Sequence, residues 1–275
     1  VATDDSRFYN HTVPNIGDYL YSDGSWGPLR TPKAESYPIA VIFSNEPSET
    51  DKKAGYFHGY AVALASCGGE MKWANSTAIG ATTQVQDQLM NTDVLAKADM
   101  EGRSETAKIL AMPDFSKQNY PAAWYAVNFG TDSVFLNSGT SANIETTISS
   151  AGYKAPEGTS GWYLGSSGQW YRIVQDLLEN TVNWYTDNNT WRTDLGNTYF
   201  IKLNNYFKNG SSKWAPSVNI TIGENCGYRT STEVKTNMDV LVWFYSGGYF
   251  YMYYTDCTKV ESNSNRKGVR PMIAF

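Results

Sequence analysis

The order of patterns along the chain predicts an α+β protein, mixed and mostly antiparallel, with two or more packed helices: strands first, helices in the middle, strands last. Three observations carry this. Apolar runs at 37–44 and 59–66 are continuous rather than alternating, as in strands buried on both faces. Helix-spaced apolar residues follow, most clearly after Ser166. The segment 240–254 then packs β-branched and aromatic residues around Gly247 and Gly248. At 275 residues the chain can bury a sizeable core as one large domain or two small ones. No internal repeat or low-complexity linker divides it, so 16–275 reads as a single domain behind a polar, aperiodic tether at 1–15.

The first strand is expected over 18–22, closed by an Asp23–Gly24 turn, followed by the two apolar strands with a charged loop over 45–53 between them. A short helix carrying Ala107, Ile109 and Leu110 starts at Ser104 and is stopped before Pro113. Another begins with Pro121, favoured in a first helical turn, and ends near Gly130. At Ser166 a serine followed three residues later by Gln169 makes a capping box, and Trp170, Ile173, Val174, Leu177 and Leu178 form the core stripe of that helix. A last helix over 195–208 places Leu195, Tyr199, Leu203, Tyr206 and Phe207 on one side, with Gly210 as its stop. Strands and turns occupy the rest, and the apolar segment 269–275 is expected to pair near 59–66.

In the aromatic segment, Gly247–Gly248 as a two-residue turn pairs Ser246 with Tyr249, Phe244 with Tyr251 and Val242 with Tyr253 on one face. Leu241, Trp243, Tyr245, Phe250, Met252 and Tyr254 take the other, assigned to the core on the bulk of Trp, Leu and Met. Tyrosine among Ser, Gly and Asn is the composition of a binding surface, since its ring buries much area with few rotatable bonds and its hydroxyl meets donor or acceptor. The candidate site is Phe244, Ser246, Tyr249, Tyr251 and Tyr253, joined by loop residues Asn225, Cys226, Tyr228, Arg229, Asp256 and Cys257. The alternative is that both faces are buried and the tyrosines are ordinary core.

A formal charge of -5 with no basic stripe argues against nucleic acid. No apolar run approaches the roughly 20 residues a bilayer span needs. The start at Val1 reads as a trimmed fragment, compatible with an export signal or a lipid anchor upstream. Cys67, Cys226 and Cys257 fit neither a disulfide framework nor a zinc spacing; Cys226 and Cys257 are open to pairing or to standing as free thiols. Low charge density with abundant Asn, Thr, Ser, Gly and Tyr suggests an extracytoplasmic bacterial protein on the outer surface.

Three local patterns resemble a known family: 16–26 with 38–43 and 58–64; 160–170; and 228–233 leading through Trp243 to 269–275. Together they resemble the C-type-lectin-like domains of surface lipoproteins from Bacteroides-type bacteria, in particular the variable proteins of diversity-generating retroelements. The resemblance covers most of 16–275 and implies a C-type-lectin-like fold with a variable region at about 225–265. Two positions depart from the family, which usually shows Pro at Gly165 and Trp at Arg229. It also implies that adenine-directed mutagenesis of Asn codons diversifies the binding face; such codons reach Tyr, Ser, Asp and Phe but never Trp or Met. Trp243 and Met252 accordingly fall on the face assigned to the core.

No phosphate loop, nucleophile elbow or His-Glu-x-x-His motif occurs, and no Glu-Pro-Asn tripeptide of calcium-dependent lectins. His11 lies in the tether and His58 at the start of a buried strand; Asp176, Glu179 and Glu233 have no spacing that brings them together as an acid/base pair. The expected function is therefore binding without metal, cofactor or catalysis, of a protein or glycan, on another cell or a phage. The runner-up is a structural adhesin or pilus-associated subunit, and the third reading an enzyme on the related formylglycine-generating version of the fold.

Overall fold

The computed structural model describes residues 13–67, 71–137, 147–179, 185–187, 190–217, 226–245, 248–253, 258–260 and 267–275. The strands are β1 (Tyr19–Tyr21), β2 (Trp26–Gly27), β3 (Pro38–Ser44), β4 (Tyr60–Ala63), β5 (Phe135–Asn137), β6 (Thr147–Ser149) and β7 (Trp162–Tyr163). They continue as β8 (Tyr185–Asp187), β9 (Thr190–Asp194), β10 (Cys226–Lys235), β11 (Met238–Tyr245), β12 (Tyr249–Tyr253), β13 (Lys267–Gly268) and β14 (Met272–Ala274). Helices are α1 (Glu49–Lys53), α2 (Asp93–Ala98), α3 (Gly102–Leu110), α4 (Pro121–Val127), α5 (Ser167–Arg172) and α6 (Gly196–Gly210). The result is the expected α+β mixture.

Sheet I runs β2-β1-β3-β4-β14-β7 and sheet II runs β13-β10-β11-β12-β9-β8, with β5 and β6 as a separate pair. All pairings are antiparallel except β10 with β13. In sheet I the strands β3 and β4 are buried along their whole length, as continuous apolar runs require. The C-terminal strand does pair with the 59–66 run: Met272 faces Val62 and Ala274 faces Tyr60. It also pairs on its other side with β7, where Ile273 faces Trp162.

The capping box forms as the sequence predicts: Ser166 Oγ accepts from the Gln169 amide while the Gln169 side chain accepts from the Ser166 amide at 3.1 Å. Trp170, Ile173, Val174, Leu177 and Leu178 are all buried, although the helix widens to a π-helical turn over Ile173–Leu177. One contiguous cluster of buried apolar side chains joins this stripe to sheet I, to Leu203 and Phe207 of α6 and to the inner face of sheet II.

Several expectations need correction. The segment 45–53 is not a bare charged loop but contains α1, started by Ser48, whose hydroxyl accepts from Asp51 N at 3.2 Å. Asp51 is buried there because Tyr60 Oη donates to it at 2.7 Å and Arg103 pairs with it. Pro14, inside the expected tether, is buried and its carbonyl accepts from Asn45 Nδ2 at 3.3 Å; residues 1–12 lie outside the described residues. In α6, Phe200 joins the buried side while Tyr199 and Tyr206 are only half-buried.

The largest correction concerns the β11–β12 hairpin. Tyr245 pairs with Tyr249, Phe244 with Phe250, Trp243 with Tyr251, Val242 with Met252 and Leu241 with Tyr253. The loop is thus three residues, 246–248, and β11 is offset by one residue from the two-residue arrangement. A tertiary contact accompanies it. Gly248 has φ +86°, its carbonyl accepts from Leu195 N at 2.6 Å, and a Cβ there would meet the Gly196 backbone at 2.6 Å. The hairpin tip is pinned on the start of α6 by this glycine–glycine contact and the Leu195–Gly248 hydrogen bond.

Candidate ligand-binding face

Because side chains alternate, the offset exchanges the two faces of β11 and leaves those of β12 as expected. Phe250 and Met252 are fully buried on the inner face, and Tyr249 and Tyr251 are half-buried on the outer one, their rings 6.1 Å apart and inclined at 53°. Phe244, by contrast, turns inward. It packs against Phe250 at 5.0 Å, Phe200 at 5.6 Å and Trp170 at 5.9 Å, and is removed from the site.

Trp243 takes the place beside the tyrosines. With Leu241 and the half-buried Tyr251 it forms a second small apolar cluster, distinct from the main core, and its ring lies across Gly227, where a Cβ would meet it at 2.6 Å. Trp243 is buried, as expected, but on the opposite face from the one assigned to it. The codon argument loses that residue, since a tryptophan unreachable by adenine mutagenesis stands on the tyrosine side; Met252 still lies in the core.

The loop members of the predicted site divide. Tyr228 is core, stacked on Trp170 at 4.8 Å and 18°, with the Arg270 guanidinium 5.7 Å from its ring. Arg229 is also fully buried: its guanidinium donates to Asp239 at 2.6 Å and to the Met71 carbonyl at 3.1 Å, so the charge is spent inside the fold rather than displayed. Cys226 faces Phe244 in register and Tyr253 faces Leu241. Asn225, Ser246, Asp256 and Cys257 lie outside the described residues. Of the predicted site, Tyr249 and Tyr251 are what the fold brings together on an accessible face.

Strand β9, which the sequence reading did not anticipate, borders them: Tyr249 faces Asp194, Tyr251 faces Arg192 and Tyr253 faces Thr190. The signal was available in Thr190, Trp191 and Thr193, β-forming residues just after the turn-forming Asn188–Asn189 pair. Elsewhere, a cleft of about 510 Å³ is lined by Asp23, Glu35, Tyr37, Lys154 and Glu157, none of them predicted.

The ionisable residues weighed for catalysis are dispersed. Asp176 pairs with Arg172 at 3.2 Å, Glu179 with Lys202 at 3.2 Å, and Glu233 with the buried Lys259. His58 packs against Trp26 at 4.7 Å, and burial pushes its pKa below the usual imidazole value. Among the described residues no group of three His, Cys, Asp or Glu is placed to hold a metal ion. Nor is any helix there long and apolar enough to cross a membrane.

The fold and this face define an α+β protein with two six-stranded sheets and an aromatic outer strip on one of them. No family model and no curated protein matches the chain. Among solved structures it is similar to a fimbrial protein from Bacteroides ovatus ATCC 8483, with a TM-score of 0.58 at 18% identity over 95% of this chain. The chain spans about half of that protein, 49% of its length.

Proposed function

We propose that the chain is an adhesive subunit of the bacterial cell surface, associated with fimbriae, that works by binding rather than by catalysis and presents the outer face of sheet II to its partner. The likeness to the fimbrial protein across 95% of the chain is the observation that carries this reading. The spent charges of Arg229, Glu233 and Asp176, each held by its own ion partner, support a binding role over an enzymatic one. Immunogold labelling of cells that express the protein tests it: label along surface fibres is expected, and label confined to the cell interior would overturn it.

A second reading is favoured by the Tyr249–Tyr251 pair and by the three sequence patterns described above: a C-type-lectin-like scaffold whose outer strip is a diversified ligand site. A cluster of accessible aromatic rings is where binding anchors concentrate. Replacing Tyr249 and Tyr251 with serine is expected to weaken binding to a glycan array or to immobilised copies of the protein by about 2 kcal/mol per anchor, roughly 30-fold each. The unfolding midpoint should shift little, because both rings are only half-buried. Unchanged binding to every surface recognised by the wild type would remove this face from the function. Finding no reverse transcriptase gene and no near-copy of the 3′ end beside the gene would remove diversification alone.

A further inference from the structure

Among the described residues five acids are buried: Asp51, Asp99, Glu105, Glu233 and Asp239. Three have a base at ion-pair distance, Arg103 for Asp51, Lys259 for Glu233 and Arg229 for Asp239. Asp99 and Glu105, each only 3% exposed, have none among the described residues. A buried carboxylate without a cation carries a large desolvation cost, and a like charge in its neighbourhood adds repulsion.

What the pair does have is hydroxyls from consecutive residues of β10. Ser231 Oγ donates to Glu105 Oε2 at 2.7 Å, and Thr232 Oγ1 donates to Asp99 Oδ2. The Glu101 amide donates to Asp99 Oδ1 at 3.1 Å. Gln86 ties α3 to β10 beside Glu105: its Nε2 donates to the backbone carbonyls of Ser231 at 3.1 Å and Glu105 at 3.4 Å. Gln86 Oε1 is buried with no donor among the described residues.

The surrounding charges do not neutralise the pair. From α3 and the turn before it come Glu101 and Lys108, and Lys108 is part-exposed and paired with Asp87 at 2.7 Å. β10 contributes Glu233, whose charge is met by Lys259. On α2, Lys97 is paired with Asp93 at 3.1 Å. The neighbours from β7 and α5 are Thr106-bound Leu164, Ser166, Ser167 and Gln169, all uncharged.

We propose that, of the two buried acids Asp99 and Glu105, one remains protonated at neutral pH, and that this retained proton makes the docking of segment 85–110 onto β10 pH-sensitive. Burial, then its like-charged neighbour, pushes the Glu105 carboxyl well above the usual carboxylate range; burial likewise lifts Asp99 to about 6 against the hydrogen bond from Thr232. A carboxyl raised in the folded state contributes stability in full below its unfolded value and loses it as the pH rises through its folded one. For Asp99 that loss runs from 3.8 through about 6; for Glu105, raised well above its usual range, it comes at higher pH, so that the proton kept at neutral pH is the one on Glu105. Acid tightens the seam and alkali draws off its proton. His58, with its value lowered, acts in the opposite direction, losing its contribution as the pH falls. The diagnostic is therefore the difference between wild type and variant.

Hydrogen exchange of the 85–110 amides, corrected for intrinsic rates, and urea denaturation between pH 4.5 and 8 test this on the whole chain. In the wild type, protection of 85–110 should fall relative to sheet I as the pH rises, by up to about tenfold per pH unit for one proton. Glu105→Gln, which keeps an acceptor for Ser231 without a titrating charge, should flatten that slope. Equal slopes in wild type and variant would overturn the proposal. Should the variant not fold, carboxyl carbon NMR of the wild type decides: a carboxyl still protonated at pH 7 is expected, and both groups fully ionised would refute it.

Discussion

Trp170→Ala is expected to destabilise the protein by about 3–5 kcal/mol, the usual cost of deleting a large buried aromatic. The ring is 1% exposed and lies where α5 meets the inner face of sheet II, stacked on Tyr228 at 4.8 Å and edge-on to Phe244 at 5.9 Å. Removing it leaves a void lined by two aromatic rings that are themselves held by Arg270, Phe200 and Phe250, so collapse into the space is restricted. Urea denaturation measures the loss, and Trp170→Phe should recover a large part of it. A midpoint within experimental error of wild type would show that the contact between α5 and the sheet is not where the stability resides. The same substitution at Trp243 should cost less, because that ring belongs to the small outer cluster with Leu241 and Tyr251.

Lys259→Met should be comparably severe, about 3–5 kcal/mol, for an electrostatic reason. The ammonium is fully buried, pairs with Glu233 and donates to the carbonyls of Gly80 at 2.7 Å, Thr83 at 3.0 Å and Thr236 at 2.7 Å, over the ring of Trp73 at 4.4 Å. Glu233 Oε2 accepts in turn from Gln86 N at 2.6 Å and Val85 N at 2.9 Å. Methionine fills much of the space but leaves a buried carboxylate and three carbonyls without their cation. The double variant Lys259→Met with Glu233→Gln should be less destabilised than the sum of the singles, because the orphaned charge is gone. Additive losses would mean that the pair is not coupled.

Much of this fold is legible in the sequence wherever a local rule and the tertiary structure agree. The capping box at Ser166, the proline that opens α4 and the unbroken apolar runs of β3 and β4 each encode their own outcome. The candidate site was less legible, because its face depends on a loop length that the two glycines alone do not set. Gly247–Gly248 fits a two-residue turn by composition; the longer loop coincides with the contact of Gly248 with Gly196, fifty-two positions away in the chain and invisible to any local pattern. One residue of offset then sends Phe244 inward and Trp243 outward. Tyr228 and Arg229 were misplaced for a related reason. A tyrosine or arginine reads as surface from composition, yet Trp170 and Asp239 supply the stacking and the counter-charge that permit burial.

Strand β14 lies between β4 and β7 rather than at an edge of sheet I, with Met272 facing Val62 on one side and Tyr163 on the other. Neither pairing can form until residues near 272 have been synthesised, so during translation β4 and β7 wait with open hydrogen-bonding rims. Such distant partners place this sheet among slow, late-closing topologies. A chain caught in that interval offers unpaired apolar strand edges to its neighbours, the condition under which strands join between molecules.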